Sequence, residues 1–297
     1  MNILITGANG FLGSHLVKHF IELNYNVFAV VRKLSNLKKI DDVLSNQNLH
    51  LIYSDMLLSD QVFDYEVDIV IHTATSYGRA DTSAYDVFLS NEMFAMRILD
   101  LAIKKDVKLF INTDSFFNKP EYASYSYLNY YKISKSNFAR WCELIAKDGS
   151  IRFVNMILEQ IYGPLDDESK FVGFMMKSLL ANKSELDLSL GEQKRDFIFI
   201  DDVVDAYDLV VHNYMNFSDS FLRVGVGSGY SVSVKNFVTL LKDITMSVTK
   251  LNFGALPYRE NEIMESSADI GHLIKMGWKP KIDIKQGIQR YLDSYRL

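Results

Sequence analysis

The sequence contains a single cysteine, Cys142, in 297 residues. An internal disulfide is therefore excluded, and so is a metal site built from several cysteine thiolates. Six histidines are present, but none has the spacing of a metal-binding pair, so we predict no metal site. No apolar run approaches the roughly 18 residues that a membrane helix needs. The first residues also lack the basic segment and cleavage site of a secretory signal. These absences predict a cytoplasmic protein with no membrane partner.

A strong charge of one sign is also missing. The chain has 32 lysines and arginines against 37 aspartates and glutamates, which gives a net charge of −5. This balance provides no basic surface for a polyanion, so we predict no nucleic-acid partner. Hydrophobic residues make up 48% of the chain, which is enough for the core of one large or two modest domains.

The first segment combines an apolar run with a glycine-rich turn. Residues 1–6 form the apolar run, and residues 6–13 (TGANGFLG) follow directly. Apolar residues then recur at helical spacing, so the pattern predicts a strand, a tight turn and a helix. Glycines at these positions allow a sharp turn, a close backbone approach to a pyrophosphate, and tight packing of the helix on the sheet. The predicted dinucleotide contacts are Gly7, Asn9, Gly10, Phe11, Leu12 and Gly13.

The end of the next strand bears on the choice of cofactor. Residues 26–31 are predicted as this strand, and an acidic residue at its end would accept hydrogen bonds from the adenosine ribose of NAD. The sequence has Arg32 and Lys33 there instead. Cations suit a 2′-phosphate, so we favour NADPH/NADP+ over NAD(H). The alternative is that Arg32 and Lys33 only begin a solvated loop.

Further predicted strands alternate with helices, which implies right-handed crossovers and a parallel sheet. Ligands bind beyond the carboxyl ends of such strands. His72 ends one strand and is interpreted as a strand-end residue rather than an acid or base. The other predicted cofactor contacts at these ends are Asp55, Met56, Thr73, Ala74 and Thr75. The predicted fold is α/β: a Rossmann-like, doubly wound parallel sheet with a smaller α/β substrate-binding C-terminal domain.

A tyrosine and a lysine in a later predicted helix form the second informative motif. Tyr131 and Lys135 are four residues apart, so they share one helix face. An ammonium beside a phenol favours the phenolate, which predicts a lowered pKa for Tyr131 and a general acid or base near neutral pH. Both residues are also predicted to contact the cofactor. The alternative is a chance surface pair, but the pair follows the strand ending in Thr113, as a shared active site requires.

Together these motifs resemble the extended short-chain dehydrogenase/reductases, in particular the branch that acts on sugar nucleotides. The glycine turn is similar to the family's cofactor turn, and Tyr131-x-x-Ser134-Lys135 is similar to its catalytic pair. The resemblance implies that Thr113, Tyr131 and Lys135 are the catalytic residues. It extends over nearly the whole chain, through Asn91, residues 161–164 (IYGP), residues 194–203 (KRDFIFIDDV), residues 224–227 (VGVG), Asp269 and residues 277–280 (GWKP).

The resemblance also implies where the substrate binds. Arg195 and Arg259 offer planar guanidinium groups suited to a diphosphate, although either could instead form a surface salt bridge. Gln160 is expected to replace a substrate-binding asparagine, and Asp114 and Ser115 complete the predicted substrate contacts. The expected domains are an NADP-binding domain of residues 1–160 plus about 195–222, and a sugar-nucleotide-binding domain of about 161–194 and 223–297.

Three reactions in this family use the same machinery. The family's dehydratases carry Thr-Asp-Glu where this chain has Thr113-Asp114-Ser115, so the missing glutamate argues against a 4,6-dehydratase. Its epimerases usually retain NAD through the acidic residue that is missing after Val31. A reductase needs neither group, and the chain resembles 4-ketoreductases such as CDP-abequose and CDP-paratose synthases. The resemblance therefore implies NADPH-dependent reduction of a CDP- or dTDP-linked 4-keto-6-deoxy or 3,6-dideoxy hexose, giving a deoxysugar donor for a surface polysaccharide.

Two further expectations concern activity and assembly. A non-catalytic NADP(H)-sensing regulator is the alternative from another class, and the presence of Tyr131 and Lys135 argues against it. The predicted helices that begin near Tyr85 and Tyr130 carry apolar residues that permit a four-helix bundle between two chains. By resemblance, we expect a homodimer.

Overall fold

The computed structural model describes residues 1–53, 65–79 and 82–296. Strands and helices alternate from the start, with β1 at Asn2–Thr6, α1 at Phe11–Glu22 and β2 at Asn26–Val31. The other strands are β3 (Leu49–Tyr53), β4 (Ile69–His72), β5 (Leu109–Ser115), β6 (Arg152–Leu158), β7 (Gln160–Tyr162), β8 (Glu185–Leu188), β9 (Lys194–Arg195), β10 (Phe197–Phe199), β11 (Phe221–Val226), β12 (Val232–Ser233) and β13 (Lys250–Phe253). The other helices are α2 (Ala84–Phe88), α3 (Phe94–Lys104), α4 (Asn129–Lys147), α5 (Phe171–Leu180), α6 (Ile200–Asn213), α7 (Val234–Thr245), α8 (Gly271–Lys275) and α9 (Ile284–Asp293).

Seven strands form one sheet in the order β11-β6-β5-β4-β1-β2-β3. β1 pairs in parallel with both β2 and β4, and the pairs β2–β3 and β4–β5 are also parallel. The strand order reverses between β1 and β4, and Thr6 is paired with His72 where these two strands end. Ligands of open α/β sheets bind at such a reversal. The predicted Rossmann-like α/β fold is confirmed.

The central strands are buried because their sequences are continuously apolar. Ile3, Leu4 and Ile5 of β1 and Ile69 and Val70 of β4 are 0% exposed. Such strands are covered by helices on both faces of a parallel sheet. Because these strands are parallel, their carboxyl ends meet along one edge of the sheet.

The chain divides into two compact units. The first comprises Met1–Asn118, Leu128–Ile157 and Tyr207–Val224, and the second comprises Lys119–Tyr127, Leu158–Ala206 and Gly225–Leu297. The predicted domains differ from these units, because the prediction places residues 119–127, 158–160 and 195–206 in the first domain and residues 223–224 in the second. β9 pairs with β12, and β10 pairs with β7, which explains why residues 194–199 lie in the second unit. Within that unit, the rings of Phe197 and Phe237 stack at 3.8 Å.

A single π-helical turn, Leu89–Met93, connects α2 to α3. α2 starts with a capping box, in which the Ser83 hydroxyl accepts from the Asp86 N–H and the Asp86 carboxylate accepts from the Ser83 N–H. Asn91 lies within the wide turn and is only 1% exposed. Isolated π turns are frequent at functional sites, and Asn91 is a residue that the family resemblance singled out.

Among the described residues, no helix combines the length and the hydropathy that crossing a membrane requires. The same parts of the chain contain no group of three histidine, cysteine or carboxylate side chains that could hold a metal ion. Cys142 is a buried free thiol.

Position 7 requires glycine both because of its backbone conformation and because there is no room for a side chain beside it. Its φ is +66°, and an added Cβ would lie 2.7 Å from the backbone nitrogen of Ala74. Gly149 provides a matched control, since its φ is +77° but an added Cβ would meet nothing within 4 Å. We expect Gly7→Ala to lower the free energy of unfolding by roughly 3 kcal/mol or more, and Gly149→Ala by about 1–2 kcal/mol. Urea unfolding measures both values, and equal losses would contradict the tight contact at Gly7.

Candidate active site

The turn after β1 forms a cradle of backbone groups. The Gly10 N–H donates to the Gly7 carbonyl at 2.8 Å. An added Cβ would lie 3.0 Å from the Gly7 oxygen at Gly10 and 2.1 Å from it at Gly13, so side chains are excluded from this surface. Among the described residues no side chain caps α1, and the start of a helix attracts an anion through its backbone N–H groups and its dipole. The cradle fits the diphosphate of a dinucleotide.

The other predicted contacts of the adenosine half are only partly described. The Asn9 side chain donates to the Asn36 carbonyl at 3.1 Å. Arg32 and Lys33 are exposed directly after β2, and within the described residues neither forms an ion pair with a carboxylate. Two cations are therefore presented at the strand end. Asp55 and Met56 lie outside the described residues.

The carboxyl ends of β1 and β4 are tied together by hydrogen bonds. The Thr6 hydroxyl lies 2.8 Å from His72 Nδ1, and the Thr73 hydroxyl donates to the Thr6 carbonyl at 2.7 Å. Burial, reinforced by the Lys135 charge, holds the pKa of His72 well below its usual value, so its imidazole is neutral. The Ala74 N–H completes the link by donating to the Thr6 hydroxyl at 3.3 Å. His72 thus takes part in joining the strands, in line with its interpretation as a strand-end residue.

Asn91 connects the segment after β4 to α4. Its side-chain oxygen accepts from the Ser76 N–H at 2.7 Å and from the Thr75 hydroxyl at 3.4 Å. Its nitrogen donates to the Ser76 carbonyl at 2.8 Å and to the Ser134 hydroxyl at 2.9 Å. The Ser134 hydroxyl in turn donates to the Tyr131 carbonyl at 3.0 Å. The π turn therefore supplies one amide that fixes both segments around Tyr131.

Tyr131 is buried, with 5% of its surface exposed. Its ring stacks on Tyr77, with 5.0 Å between the centroids and 25° between the planes. Burial raises the pKa of Tyr131 well above its usual value, assisted by Tyr77, and a hydrogen bond with the Ser115 side chain opposes this shift only in part. The sequence predicted a lowered pKa for this phenol. In the structure the effect of burial is larger, and the Tyr131 side chain is a neutral proton donor.

Lys135 brings its ammonium to the end of β5. The side chain is 2% exposed, and Nζ donates to the Thr113 carbonyl at 2.8 Å. Burial lowers the pKa of Lys135 to about 8, and the charge of Asp114 opposes the shift. The ammonium is therefore present at neutral pH and is lost under mildly alkaline conditions.

Asp114 is surrounded by donors from its own chain. One carboxylate oxygen accepts from the Ser115 N–H at 2.8 Å and from Asn118 Nδ2 at 2.7 Å, and the other accepts from Asn155 Nδ2 at 2.8 Å. Asn112 Nδ2 extends this chain by donating to Asn155 Oδ1 at 2.7 Å. Burial raises the pKa of Asp114, and these hydrogen bonds oppose the shift. Both oxygens of this predicted substrate contact are thus used within the protein, and Asn155 had no signal in the sequence.

The Thr113 hydroxyl also has a partner that the sequence analysis missed. Thr113 Oγ1 lies 2.8 Å from the hydroxyl of Tyr207, on α6. Thr113, Tyr131 and Lys135 therefore lie together in the first unit, on β5 and α4, with Asp114 and Ser115 beside them.

Arg195 is held by partners within the second unit. Nη2 pairs with Glu262 Oε1 at 2.6 Å, and Nη1 donates to the carbonyls of Ile263 at 2.5 Å and Lys194 at 2.8 Å. The side chain is 11% exposed. Arg195 therefore forms a salt bridge, which was the alternative considered for it. The pair is buried rather than exposed on the surface.

Arg259 and Gln160 have different surroundings in the same unit. Arg259 lies over the Tyr127 ring at 3.8 Å, and Nη1 donates to the Tyr125 hydroxyl at 3.3 Å. The Gln160 N–H donates to the Asp196 carbonyl at 3.0 Å, and its side chain is only partly buried. Of the two arginines, Arg259 retains more capacity to bind an anion.

Glu159, next to Gln160, is held in a buried network of the second unit. Its carboxylate accepts from Lys119 Nζ at 2.5 Å and from the Ser266 hydroxyl at 2.8 Å. Burial raises the pKa of Glu159, while the charge of Lys119 opposes the shift. Glu159 therefore joins Lys119 to Ser266 within the second unit.

The chain is similar to known proteins along almost its whole length. The model of the NAD dependent epimerase/dehydratase family matches residues 3–221. The CDP-abequose synthase of Salmonella typhimurium is 36% identical over 298 residues, which cover 98% of this chain and 97% of the relative. The CDP-abequose synthase of Salmonella muenchen is 33% identical, covering 98% and 96%. A crystal structure of the UDP-glucose 4-epimerase of Thermotoga maritima with UDP-glucose is 25% identical, with a TM-score of 0.84 over 100% of this chain and 99% of that one.

Replacing Arg195 and replacing Arg259 are expected to affect the stability of the protein differently. Arg195→Met would leave the buried Glu262 carboxylate unpaired, so we expect the free energy of unfolding to fall by about 3–5 kcal/mol. Arg259→Met would lose a stacking contact and a long hydrogen bond, for which we expect about 1 kcal/mol or less. Urea unfolding checks both. The double variant Arg195→Met/Glu262→Leu should recover part of the loss, and no recovery would contradict the unpaired charge as its cause.

Proposed function

Because the chain belongs to the NAD dependent epimerase/dehydratase family, we propose that it reduces the 4-keto group of a nucleotide-linked sugar with NADPH. The substrate class is a CDP- or dTDP-linked 4-keto-6-deoxy or 3,6-dideoxy hexose. The product is a deoxysugar donor for a surface polysaccharide, made in the cytoplasm. The similarity to two CDP-abequose synthases over 98% of the chain supports this class of substrate.

The observation that carries the proposal is the group of three side chains at the end of β5. Thr113 offers a hydroxyl, Tyr131 a neutral phenol, and Lys135 a buried ammonium bonded to the Thr113 carbonyl. The three lie at the carboxyl ends of the sheet strands. The glycine cradle after β1 lies at the same end of the sheet. Such an arrangement suits the reduction of a carbonyl, which needs a hydrogen-bond donor and a proton at the oxygen.

Each residue has one part in the reaction. A bound nicotinamide dinucleotide supplies the hydride that adds to the carbonyl carbon. The Thr113 hydroxyl donates a hydrogen bond to the carbonyl oxygen and orients it. The Tyr131 phenol gives its proton to that oxygen as the C–O bond becomes single, and the Lys135 ammonium stabilises the phenolate that remains.

A protonated Tyr131 suits the reduction of a ketone. An epimerase of this family begins by oxidising a sugar hydroxyl, which needs a base, whereas a ketoreductase begins with a proton donor. Burial keeps Tyr131 protonated, so the resting side chain is ready to donate. Ser115 stands where a dehydratase of the family has glutamate, so a base for water loss is missing from that position.

Exposed cations support the choice of NADPH. Arg32 and Lys33 follow β2, where NAD-binding members of the fold present a carboxylate to the ribose. Their side chains are exposed and suit a 2′-phosphate. The glycine cradle would hold the diphosphate, and Thr73, Ala74 and Thr75 follow β4 at the same edge.

We assign the diphosphate of the sugar nucleotide chiefly to Arg259, because Arg195 is occupied by Glu262. We further propose a homodimer formed through α2, the π turn and α4. Large apolar side chains are exposed there, between 38% and 67%, in an amount unusual for a monomer surface. They are Tyr85, Phe88, Leu89, Met93, Tyr130, Ile133, Trp141 and Leu144.

Counting NADPH against product tests the proposed reaction. The purified protein, given a panel of CDP- and dTDP-linked 4-keto-6-deoxy and 4-keto-3,6-dideoxy hexoses, should consume one NADPH per product and use NADH more slowly. Tyr131→Phe should lower kcat by about 10²–10⁴-fold because the proton donor is lost. Tyr65 provides the control, because it is exposed and lies outside both the catalytic group and the proposed dimer surface, so Tyr65→Phe should keep the wild-type rate.

Other outcomes of that assay would replace the proposal. Interconversion of two sugar nucleotides without net consumption of NADPH would identify an epimerase, the reaction named for the solved structure from Thermotoga maritima. Tight NADPH binding without turnover of any sugar nucleotide would favour the regulator.

The pKa of Lys135 predicts the pH dependence of reduction. Because the folded pKa is about 8, the ammonium is present below that pH and is lost as the pH rises through it. We expect kcat/KM to be nearly constant up to about pH 7.5 and to fall about tenfold per unit above about pH 8.5. Initial rates over this range measure the profile. Lys135→Met should be slow at every pH, and a wild-type rate that stays level to about pH 10 would contradict a role for the ammonium.

A further inference from the structure

Tyr207 is a buried tyrosine whose hydroxyl meets the proposed catalytic threonine. It lies on α6 and is 0% exposed, as are Val210 and Val211 on the same helix. Its hydroxyl is 2.8 Å from Thr113 Oγ1. Burial raises the pKa of Tyr207, and the hydrogen bond to Thr113 opposes the shift only in part. The phenol therefore stays neutral and keeps its proton as a hydrogen-bond donor.

We propose that Tyr207 is a positioning residue, which donates to Thr113 Oγ1 and thereby directs the Thr113 proton towards the ketone oxygen of the substrate. This inference rests on the proposed reduction of a 4-keto sugar. It adds a residue to that reaction and assigns the direction of its hydrogen bonds.

The direction follows from counting donors and acceptors. A phenol and a threonine hydroxyl each carry one proton, and either could donate to the other. Among the described residues, the Tyr207 hydroxyl has Thr113 Oγ1 as its hydrogen-bond partner. If Thr113 donated, the Tyr207 proton would be buried without an acceptor there, and an unsatisfied buried donor is strongly unfavourable. Donation by Tyr207 leaves the Thr113 proton for a further acceptor, and the ketone oxygen is one.

Thr113 is also held at its backbone. Lys135 Nζ donates to the Thr113 carbonyl at 2.8 Å, while Tyr207 holds the hydroxyl. The residue is therefore fixed from α4 on one side and from α6 on the other. A donor fixed before the substrate arrives needs no reorganisation as charge develops on the oxygen, so its effect appears in the chemical step.

Four variants test the proposal. Tyr207→Phe removes the donor and keeps the ring, and Thr113→Val removes its target. The double variant combines both. Tyr162→Phe is the matched control, because Tyr162 is also fully buried and its hydroxyl donates to a backbone carbonyl, that of Ile284, at 3.3 Å. Each variant is assayed for kcat and KM with NADPH and the 4-keto sugar nucleotide that the wild type reduces.

We expect Tyr207→Phe to lower kcat by about three- to tenfold, the range of one neutral hydrogen bond, with KM nearly unchanged. Thr113→Val should lower kcat further, and the double variant should match Thr113→Val because Tyr207 acts only through Thr113. Tyr162→Phe should keep the wild-type kcat. Thermal unfolding confirms that each variant is folded.

Two kinds of result would overturn the inference. If Thr113→Val loses activity but folded Tyr207→Phe keeps it, or if the two losses multiply in the double variant, Tyr207 does not position Thr113, and the proposed reaction stands. If the wild type reduces no 4-keto sugar nucleotide, or if Thr113→Val is as active as the wild type, the proposed role of Thr113 fails and this inference fails with it.

Discussion

The buried ammonium of Lys135 is the constraint on which the rest of the site depends. A charge removed from water persists only where dipoles or opposite charges compensate it. Lys135 has the Thr113 carbonyl at 2.8 Å and the charge of Asp114 nearby. The same charge helps keep His72 neutral, because a protonated imidazole would add a second buried cation. One ammonium thus links α4 to the end of β5 and, after burial, contributes to the pKa shifts of His72 and Asp114.

Asp114 influences the pKa of Lys135. The family resemblance assigns it to the substrate, but its oxygens accept from Ser115, Asn118 and Asn155. These donors oppose the effect of burial and favour the charged carboxylate. A charged Asp114 raises the pKa of Lys135 and so keeps more of the ammonium at neutral pH. In the proposed reduction its contribution is therefore electrostatic and exerted through Lys135 from within the protein.

Local patterns predicted the elements that local interactions determine. The glycine turn, the parallel strands and the shared helix face of Tyr131 and Lys135 follow from spacings of a few residues, and the structure has each of them. The partners of these residues come from distant parts of the chain. Tyr207 lies 94 residues from Thr113, and Glu262 lies 67 residues from Arg195. A single sequence carries no signal for such pairs. The pKa of Tyr131 was predicted in the wrong direction for the same reason, since its burial depends on a ring stacked from a separate segment.

The positions of the groups in the proposed reaction indicate that regular secondary structure holds the chemistry. Thr113 is on β5, Tyr131 and Lys135 are on α4, and Tyr207 is on α6, so regular elements hold the groups that would handle the proton and the ketone oxygen in the proposed reduction. Regular elements hold such geometry more tightly than loops do. Substitutions outside these elements are therefore expected to disturb the proposed proton transfer less than substitutions within them.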